Sequence, residues 1–392
     1  MRVLQNIGVA AASGLLRSPW SDLRPWPQAL CQGGAHVLRR SRRHASVWMG
    51  NGTPPDPEAA TITTSVSHAP PTLLVGSQQD EASCAMMSAL LARGDWLETT
   101  PGVESNVQHQ LGRAWTHERR AVSLWSVEGP LLGLDDADRR WTDIKDVRRR
   151  SPADVIFLSK HVAKSGVPAL CVHPIGVPDP TSSNAAGGRP GQCPPPSSRL
   201  GECFRGLRLA AREAGLQSSF DVTLEVTHHG PWLETPAIFV EIGSSEEHWG
   251  RADAAEVWVN VLTRILGLDG SPGSESWTSL DPAVRADRTA FVGLGGGHYA
   301  PKHGDLAKLD GRYMGHMVAS YALDFGQNGR WREAVTEAIR STREAFPGAG
   351  GGVAGGVAAF VDKKSFRSRD RASLLEHLAS LGVEHRFRSS EC

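Results

Sequence analysis

The chain has 392 residues with 42 Lys and Arg against 42 Asp and Glu; this length allows one or two globular domains, and the neutral balance argues against a general nucleic-acid coat. No run of about 18 uninterrupted apolar residues occurs, which argues against a membrane-spanning helix. Six cysteines (Cys31, Cys84, Cys171, Cys193, Cys203 and Cys392) form no Cys-x-x-Cys pair, which excludes a zinc ribbon or thioredoxin motif and leads us to expect reduced thiols in an intracellular protein.

Residues 1–50 hold Arg2, Arg17, Arg24, Arg39, Arg40, Arg42 and Arg43 against one acid, Asp22, which leaves the remainder with 35 bases and 41 acids. This Arg-rich, acid-poor start, with "IGVAAASGLL", reads as an organellar transit peptide, mitochondrial or chloroplast; the alternative is a disordered extension on a cytoplasmic chain. Residues 45–71 are rich in Pro, Thr and Ser and read as a linker. The expected organisation is an extension over 1–71 and one catalytic α/β domain over 72–385.

Thr72–Val75 is a buried strand candidate, and Glu81–Ala92 carries apolar residues at helical spacing. "AVSLWSV" (121–127), "ADVIFLSKH" (153–161) and "VPALCVHP" (167–174) read as strands. Residues 177–200 are dense in Pro, Gly and Ser, which predicts a long mobile loop. A helix is expected over Phe204–Leu216. "DVTLEVTHH" (221–229) alternates Val222, Leu224 and Val226 with Thr223, Glu225 and Thr227, a strand period. "AIFVEIG" (237–243) predicts a buried strand, and Ala254, Trp258, Val261, Leu262 and Ile265 an amphipathic helix. "TAFVGLG" (289–295) is another strand, and Arg330–Ala345 another helix. The Gly tract 348–356, within about 347–357, reads as a flexible insertion, and a last helix is expected near Arg371–Leu381. Strands alternating with helices indicate an α/β fold with a mixed, mostly parallel sheet flanked by helices.

The strands run into polar residues. "DVIFLS" leads to Lys160 and His161, "PALCV" to His173, "TLEVT" to His228 and His229, and "FVGLGGG" to His298 and Tyr299, while "IFV" carries Glu241. In open α/β sheets ligands bind outside the carboxyl ends of the strands, so these groups are expected to share a cleft. Gly230-Pro231 ends the strand at the paired histidines, which lets both turn to one side. Neutral imidazoles with a carboxylate suit zinc with an open position for water. A metal-free hydrogen-bonded cluster is the alternative. Gly295, Gly296 and Gly297 match neither a Walker A loop nor a dinucleotide fingerprint, and Pro301 stands too close for a helix to start at once. The glycines permit close backbone approach, with free N–H groups for a carbonyl, phosphate or ribose, and Lys302 adds a phosphate contact.

"FLSKHVAKSGVPALCVHPIG" (157–176), "EVTHHGP" (225–231), "FVEIGSSEEHW" (239–249) and "GGGHYAPKHGDLA" (295–307) resemble, in order, the motifs of the archaeal and plant type of D-aminoacyl-tRNA deacylase. "LLVGSQQDEAS" (73–83) and "FVDKKSF" (360–366) extend the resemblance. It implies an esterase that removes D-amino acids from the 3′ end of tRNA, including aldehyde-modified D-aminoacyl-tRNA in plant members. It also implies bound zinc and a fold related to peptidyl-tRNA hydrolase and nucleoside phosphorylase sheets. The implied catalytic residues are His228, His229, Glu241, His298 and Lys160. His161, His173, Gly295, Gly296, Gly297, Tyr299 and Lys302 would bind substrate, and His228, His229, Glu241 and His298 would take the metal. The chain departs from the family after Gly176, where Val177 replaces a Gly-Asn continuation. No membrane partner and a monomer or homodimer are expected. Peptidyl-tRNA hydrolysis and small-molecule nucleoside phosphorylase or amidohydrolase chemistry are the rival activities.

Overall fold

The computed structural model describes residues 70–99, 112–143, 150–182 and 186–392. The expected N-terminal extension lies outside them, apart from residues 70 and 71. In chain order the elements are β1 (Thr72–Ser77), α1 (Glu81–Ala92), β2 (Trp96–Thr99), β3 (Arg113–His117), β4 (Val122–Val127), α2 (Ala137–Asp143) and β5 (Asp154–Lys160). Then come β6 (Ala169–Pro174), α3 (Leu200–Glu213), β7 (Asp221–Leu224), β8 (Ala237–Gly243), α4 (Glu246–Trp249) and α5 (Ala252–Leu266). The remainder holds α6 (Pro282–Ala286), β9 (Ala290–Leu294), α7 (Pro301–Ala307), β10 (Tyr313–Val318), α8 (Trp331–Ala345), β11 (Val357–Val361), α9 (Ser368–Ser380) and β12 (His385–Arg386).

The expected mixed, mostly parallel α/β architecture is present, divided between two sheets. One has eight strands in the order β2-β3-β4-β1-β5-β8-β6-β7, the other four in the order β10-β9-β11-β12. The smaller sheet is parallel throughout. In the larger, β4, β1, β5 and β8 run parallel, and β6 then runs antiparallel to β8. Asp80 starts α1 by accepting a hydrogen bond from the Ser83 amide at 2.8 Å. Gly267, at φ 65°, ends α5 in the left-handed conformation that glycine tolerates.

Period-2 alternation gives the central strands two different faces. Ile156, Leu158, Leu170, Val172, Ile238, Val240 and Ile242 pack in one core with Phe204 and Leu207 of α3 and Trp258 and Leu262 of α5. Val155, Phe157, Ala237 and Phe239 point the other way and pack with Trp125, Trp141 and Leu233. The second face continues past Phe239 into the polar residues described below.

Several boundaries differ from the sequence pattern. α3 begins at Leu200 and ends at Glu213, because Gly215 takes φ 70°. β7 stops at Leu224, where the backbone leaves β6. α7 starts at Pro301 itself: the first helical residue needs no amide donor, and proline's fixed φ suits it. α9 begins at Ser368, three residues before the expected start. The 177–200 segment is anchored where it is described. Val177 bridges Pro190 and Gln192, Pro196 bridges Ala237, and Cys193 through Ser197 are buried. The Gly tract is also packed rather than free. The Gly350 and Gly351 amides bond the Arg288 and Ala286 carbonyls, and a Cβ at Gly351 would lie 2.0 Å from Thr289 Oγ1.

A buried polar junction joins the two sheets. His316 of β10 receives the Thr227 hydroxyl at Nδ1 (2.9 Å) and donates from Nε2 to the Pro194 carbonyl (3.0 Å). Thr227 Oγ1 in turn accepts the Met317 amide, and the Thr227 amide bonds the Met317 carbonyl. Burial pushes the His316 pKa down to about 4. The unfolded chain therefore takes up this proton first as pH falls. The stability involved is complete above about pH 6.5 and is lost as pH drops through about 4. In denaturant titrations, His316→Gln is expected to lose roughly 2 kcal/mol less stability than the unsubstituted chain between about pH 7 and about pH 4.5. Equal losses in both would show that this histidine does not carry the acid sensitivity.

Candidate active site

The site grows from the antiparallel pairing of β6 and β8. That register sets Cys171 opposite Glu241 and His173 opposite Phe239, while β5 places Phe157 beside Phe239. The rings of Phe157, Phe239 and His173 stack across three strands, with centroids 4.8 and 5.4 Å apart. Each such contact contributes about 1 kcal/mol beyond the area it buries. His161 follows β5, its amide bonded to the Ile242 carbonyl and its carbonyl to Trp249 Nε1. It can stand there because residue 243 is glycine: a Cβ at that point would lie 2.6 Å from the His161 Cβ.

His228 and His229 come from the segment after β7. There the Val226 amide bonds the His298 carbonyl and the Thr227 amide the Met317 carbonyl, so the smaller sheet holds the chain in place. His229 takes φ 45°, and the turn aims both rings at His173, with centroid distances of 4.0 and 4.9 Å. His298 follows β9 and lies 4.6 Å from the His228 ring. His161 and His298 thus stand beyond strand ends as expected. Glu241 and His173 do not: the reversal of β6 against β8 puts them on the face of the sheet.

Two buried carboxylates, Glu225 and Glu241, lie among these rings. His161 Nδ1 is 3.2 Å from Glu241 and 3.4 Å from Glu225. His173 Nε2 is 3.6 Å from Glu241, and His298 Nε2 is 3.3 Å from Glu225. Burial alone would raise both carboxyl groups. For Glu241, hydrogen bonding and charge from His161 and His173 outweigh burial and hold it well below the usual carboxylate range. Glu225 is lowered in the same way by His298 and His161. Burial alone would lower His161 and His173, yet the carboxylates overcome it and raise both imidazoles. At His228 and His229 no raising influence outweighs burial. Burial, followed by the charge of His173, lowers His228 well below the ordinary imidazole value and His229 to about 4. The cluster therefore combines two imidazoles whose pKa the carboxylates raise with two whose pKa burial lowers.

Several subsets have the chemistry of a metal site. His173, His228 and His229 bring ligand atoms within 4.8 Å of one another, as do Glu225, His228 and His298. In the first trio every Nδ1 faces a backbone carbonyl: Pro174 at 3.1 Å, Val226 at 2.8 Å and Gly230 at 2.6 Å. Such bonds fix the tautomer and leave Nε2 to ligate. The buried His173 Nε2 and both Glu225 oxygens make no well-formed hydrogen bond, although imidazole or carboxylate partners stand 3.3 to 3.7 Å away. Such loosely satisfied buried atoms suit a cation-binding pocket. His228, His229, Glu241 and His298 do not form one four-ligand set, because His173 lies among the imidazoles and Glu241 turns toward His161 and His173.

Tyr299 joins the cluster at its exposed edge, with its hydroxyl 3.5 Å from His161 Nε2. Lys160 does not; its ammonium sits 4.6 Å over the Trp249 ring. Lys302 lies in the first turn of α7, half-buried. Of the three loop amides, Gly295 donates to the Val318 carbonyl and Gly296 to Ser365 Oγ, so only that of Gly297 has no acceptor among the described residues. Val177 does not open a gap; it is buried and bridged, and the preceding Gly176 amide bonds the His229 carbonyl.

Three residues at the site are absent from the sequence expectations. Glu225 reads as the polar side of an alternating strand, and only its position three residues before His228 hints otherwise. Cys171 is buried beside Glu225 and His161 and receives the Thr223 hydroxyl at 3.2 Å. Tyr321 places its hydroxyl 3.3 Å from His298 Nδ1.

Comparison with known proteins gives the same direction. The family model described as D-aminoacyl-tRNA deacylase matches residues 149–386. The D-aminoacyl-tRNA deacylase of Arabidopsis thaliana is 37% identical over 330 residues, 80% of this chain and 96% of that protein. The protein of the same name from Methanothrix thermoacetophila is 31% identical over 79% of this chain and 94% of its own length. The crystal structure of AF0625, a conserved protein of unknown function, aligns with a TM-score of 0.62 and 25% identity, covering 83% of this chain and 97% of that one. With its cluster of histidines and glutamates inside the matched region, this chain belongs to the D-aminoacyl-tRNA deacylase family.

Proposed function

We propose that this chain hydrolyses the ester of D-aminoacyl-tRNA, releasing the D-amino acid and free tRNA. One observation carries the reading: five histidines and two buried carboxylates converge within the stretch that the family model matches.

The donor set fits zinc. His173, His228 and His229 would hold it, each with Nδ1 already fixed on a carbonyl, leaving a position open. When bound, zinc supplies Lewis acidity toward water and the ester carbonyl. His161 is suited to general-acid work. Glu241 and Glu225 raise its pKa through Nδ1, and Nε2, facing Tyr299 at the exposed edge, is placed to donate a proton to the departing ribose oxygen. The Gly297 amide and His298 stabilise the oxyanion, and an aimed donor of this kind contributes about 3 kcal/mol. The D-form is selected by steric exclusion of the L side chain, which leaves the amino-acid range broad. The Arg-rich first 50 residues support an organellar destination.

With the full chain, D-Tyr-tRNA is expected to be deacylated and L-Tyr-tRNA left intact, with activity lost to a chelator and regained on adding zinc. Absence of D-selective turnover would reject the substrate assignment. D-selective turnover that survives exhaustive chelation would reject zinc and leave the histidines in acid–base roles.

Replacing His161 by Gln is expected to lower kcat roughly 10²- to 10⁴-fold with little change in KM. Gly243→Ala should fall in the same range, since its methyl group displaces His161. The proton on His161 is needed, so activity declines as pH rises through its elevated pKa. Glu241→Gln removes the main source of that elevation, and the alkaline limb of the pH–kcat profile should move to lower pH. A limb that stays in place would exclude His161 as the acid.

A further inference from the structure

The motif "FVDKKSF" has no part in the chemistry above, yet the fold sets it against the site. β11 delivers Val361 beside Leu294, the Asp362 amide bonds the Leu294 carbonyl, and Ser365 Oγ receives the Gly296 amide at 2.7 Å. Phe366 is buried under the same loop, where a Cβ on Gly295 would lie 2.7 Å from its ring. The segment is therefore held firmly, within roughly 15 Å of His298 by chain geometry.

The side chains that this anchored segment sends outward are nearly all cationic. Lys363, Lys364, Arg367, Arg369 and Arg371 fall within nine residues that contain one acid, Asp370. The first four are exposed and Arg371 is half-buried. None has an acidic partner within ion-pair distance among the described residues, whereas Arg330, Arg340 and Arg386 on neighbouring elements are each paired with glutamate. The nearby Asp362 carboxylate is already engaged, accepting the Lys364 amide and the Ser365 hydroxyl. Arg367, Arg369 and Arg371 also crowd the start of α9, where the helix dipole disfavours positive charge and no side chain caps the helix. A chain with no net charge thus concentrates unpaired cations, against local helix energetics, on an edge beside its reaction centre. Such conflicts with local rules are expected where function requires them.

We propose that this edge, formed by Lys363, Lys364, Arg367, Arg369 and Arg371, is the docking surface for the phosphate backbone of the tRNA acceptor stem. The proposal rests on the deacylase reading and adds the path of the RNA away from the site: with the 3′ ester at the histidine cluster, the stem runs over the carboxyl edge of the smaller sheet. Contacts with phosphates carry charge without reading sequence, so the surface serves any tRNA.

The test compares the full chain with the triple variant Lys363→Ala, Lys364→Ala, Arg367→Ala on D-Tyr-tRNA and on 3′-O-D-tyrosyl-adenosine, which has no stem. The expected result is a KM for D-Tyr-tRNA raised roughly tenfold or more at moderate salt, kcat unchanged, and adenosine-ester turnover unaffected. The slope of log kcat/KM against log salt should become shallower by about 2 to 3, the amount for three lost phosphate contacts. Equal losses on both substrates would mean a disturbed fold or centre and would overturn the proposal, as would an unchanged KM for tRNA. Binding of uncharged tRNA to the same two proteins is measured in parallel. If the unsubstituted chain cleaves neither D-ester, the deacylase reading fails, and the binding measurement still decides the surface. Weaker, less salt-dependent binding by the variant supports the surface, and equal binding overturns it.

Discussion

Two carboxylates buried side by side dominate the physics of this molecule. Glu225 is fully buried and Glu241 nearly so, and an uncompensated buried ion costs several kcal/mol. Compensation comes from His161, His173 and His298, which arrive on three separate stretches of chain. No stretch supplies a satisfied pair by itself. The electrostatic cost is met only when both sheets and the segment between them are in place, so the chemistry of the site and the assembly of the fold are one requirement.

The reversal of one strand determines how that requirement is met. Because β6 runs against β8, His173 and Cys171 face Phe239 and Glu241 across a ladder instead of standing at a rim. The stacked Phe157, Phe239 and His173 rings seal the site's floor from the apolar side. Low polarity there strengthens every charge interaction above it. The smaller sheet supplies His298 and the hydrogen bonds to Val226 and Thr227 that stop β7 early and turn two successive histidines to the same side.

Most of the frame was legible in the sequence, because strong periodicity survives tertiary packing. Glu81–Ala92 and Ala237–Gly243 have the predicted bounds, and the helix over 331–345 begins one residue late. His161, His173, His228, His229, Glu241 and His298 were each marked by polar character at the end of an apolar run, and the structure gathers all six. Glu225 was hidden by the same rule. Its alternation with Val226 mimics a solvated strand face, and only contact with the other sheet shows that the strand has already ended. Composition could not separate packed from mobile loops in the described part of 177–200 and in the Gly tract, since proline and glycine promote both. β10 carries Met, Gly and His with a single β-branched residue, and β11 is a run of only five residues directly behind the Gly tract. The two ends of the glycine loop were also unequal: its flexibility was visible, but not that Val318 and Ser365 had already taken two of its amides.

The bond between Gly296 and Ser365 has a consequence for when the protein becomes competent. Synthesis runs from the N-terminus, yet the loop beside His298 is braced by a residue near the far end of the chain, and the His228–His229 turn by strand β10. Contacts this distant in sequence form late in folding. A nascent chain still attached to its ribosome has, for most of its synthesis, no completed cluster of imidazoles and carboxylates. An enzyme made in the midst of aminoacyl-tRNA thus completes the bracing of its reaction centre only after the residues through Ser365 have been made.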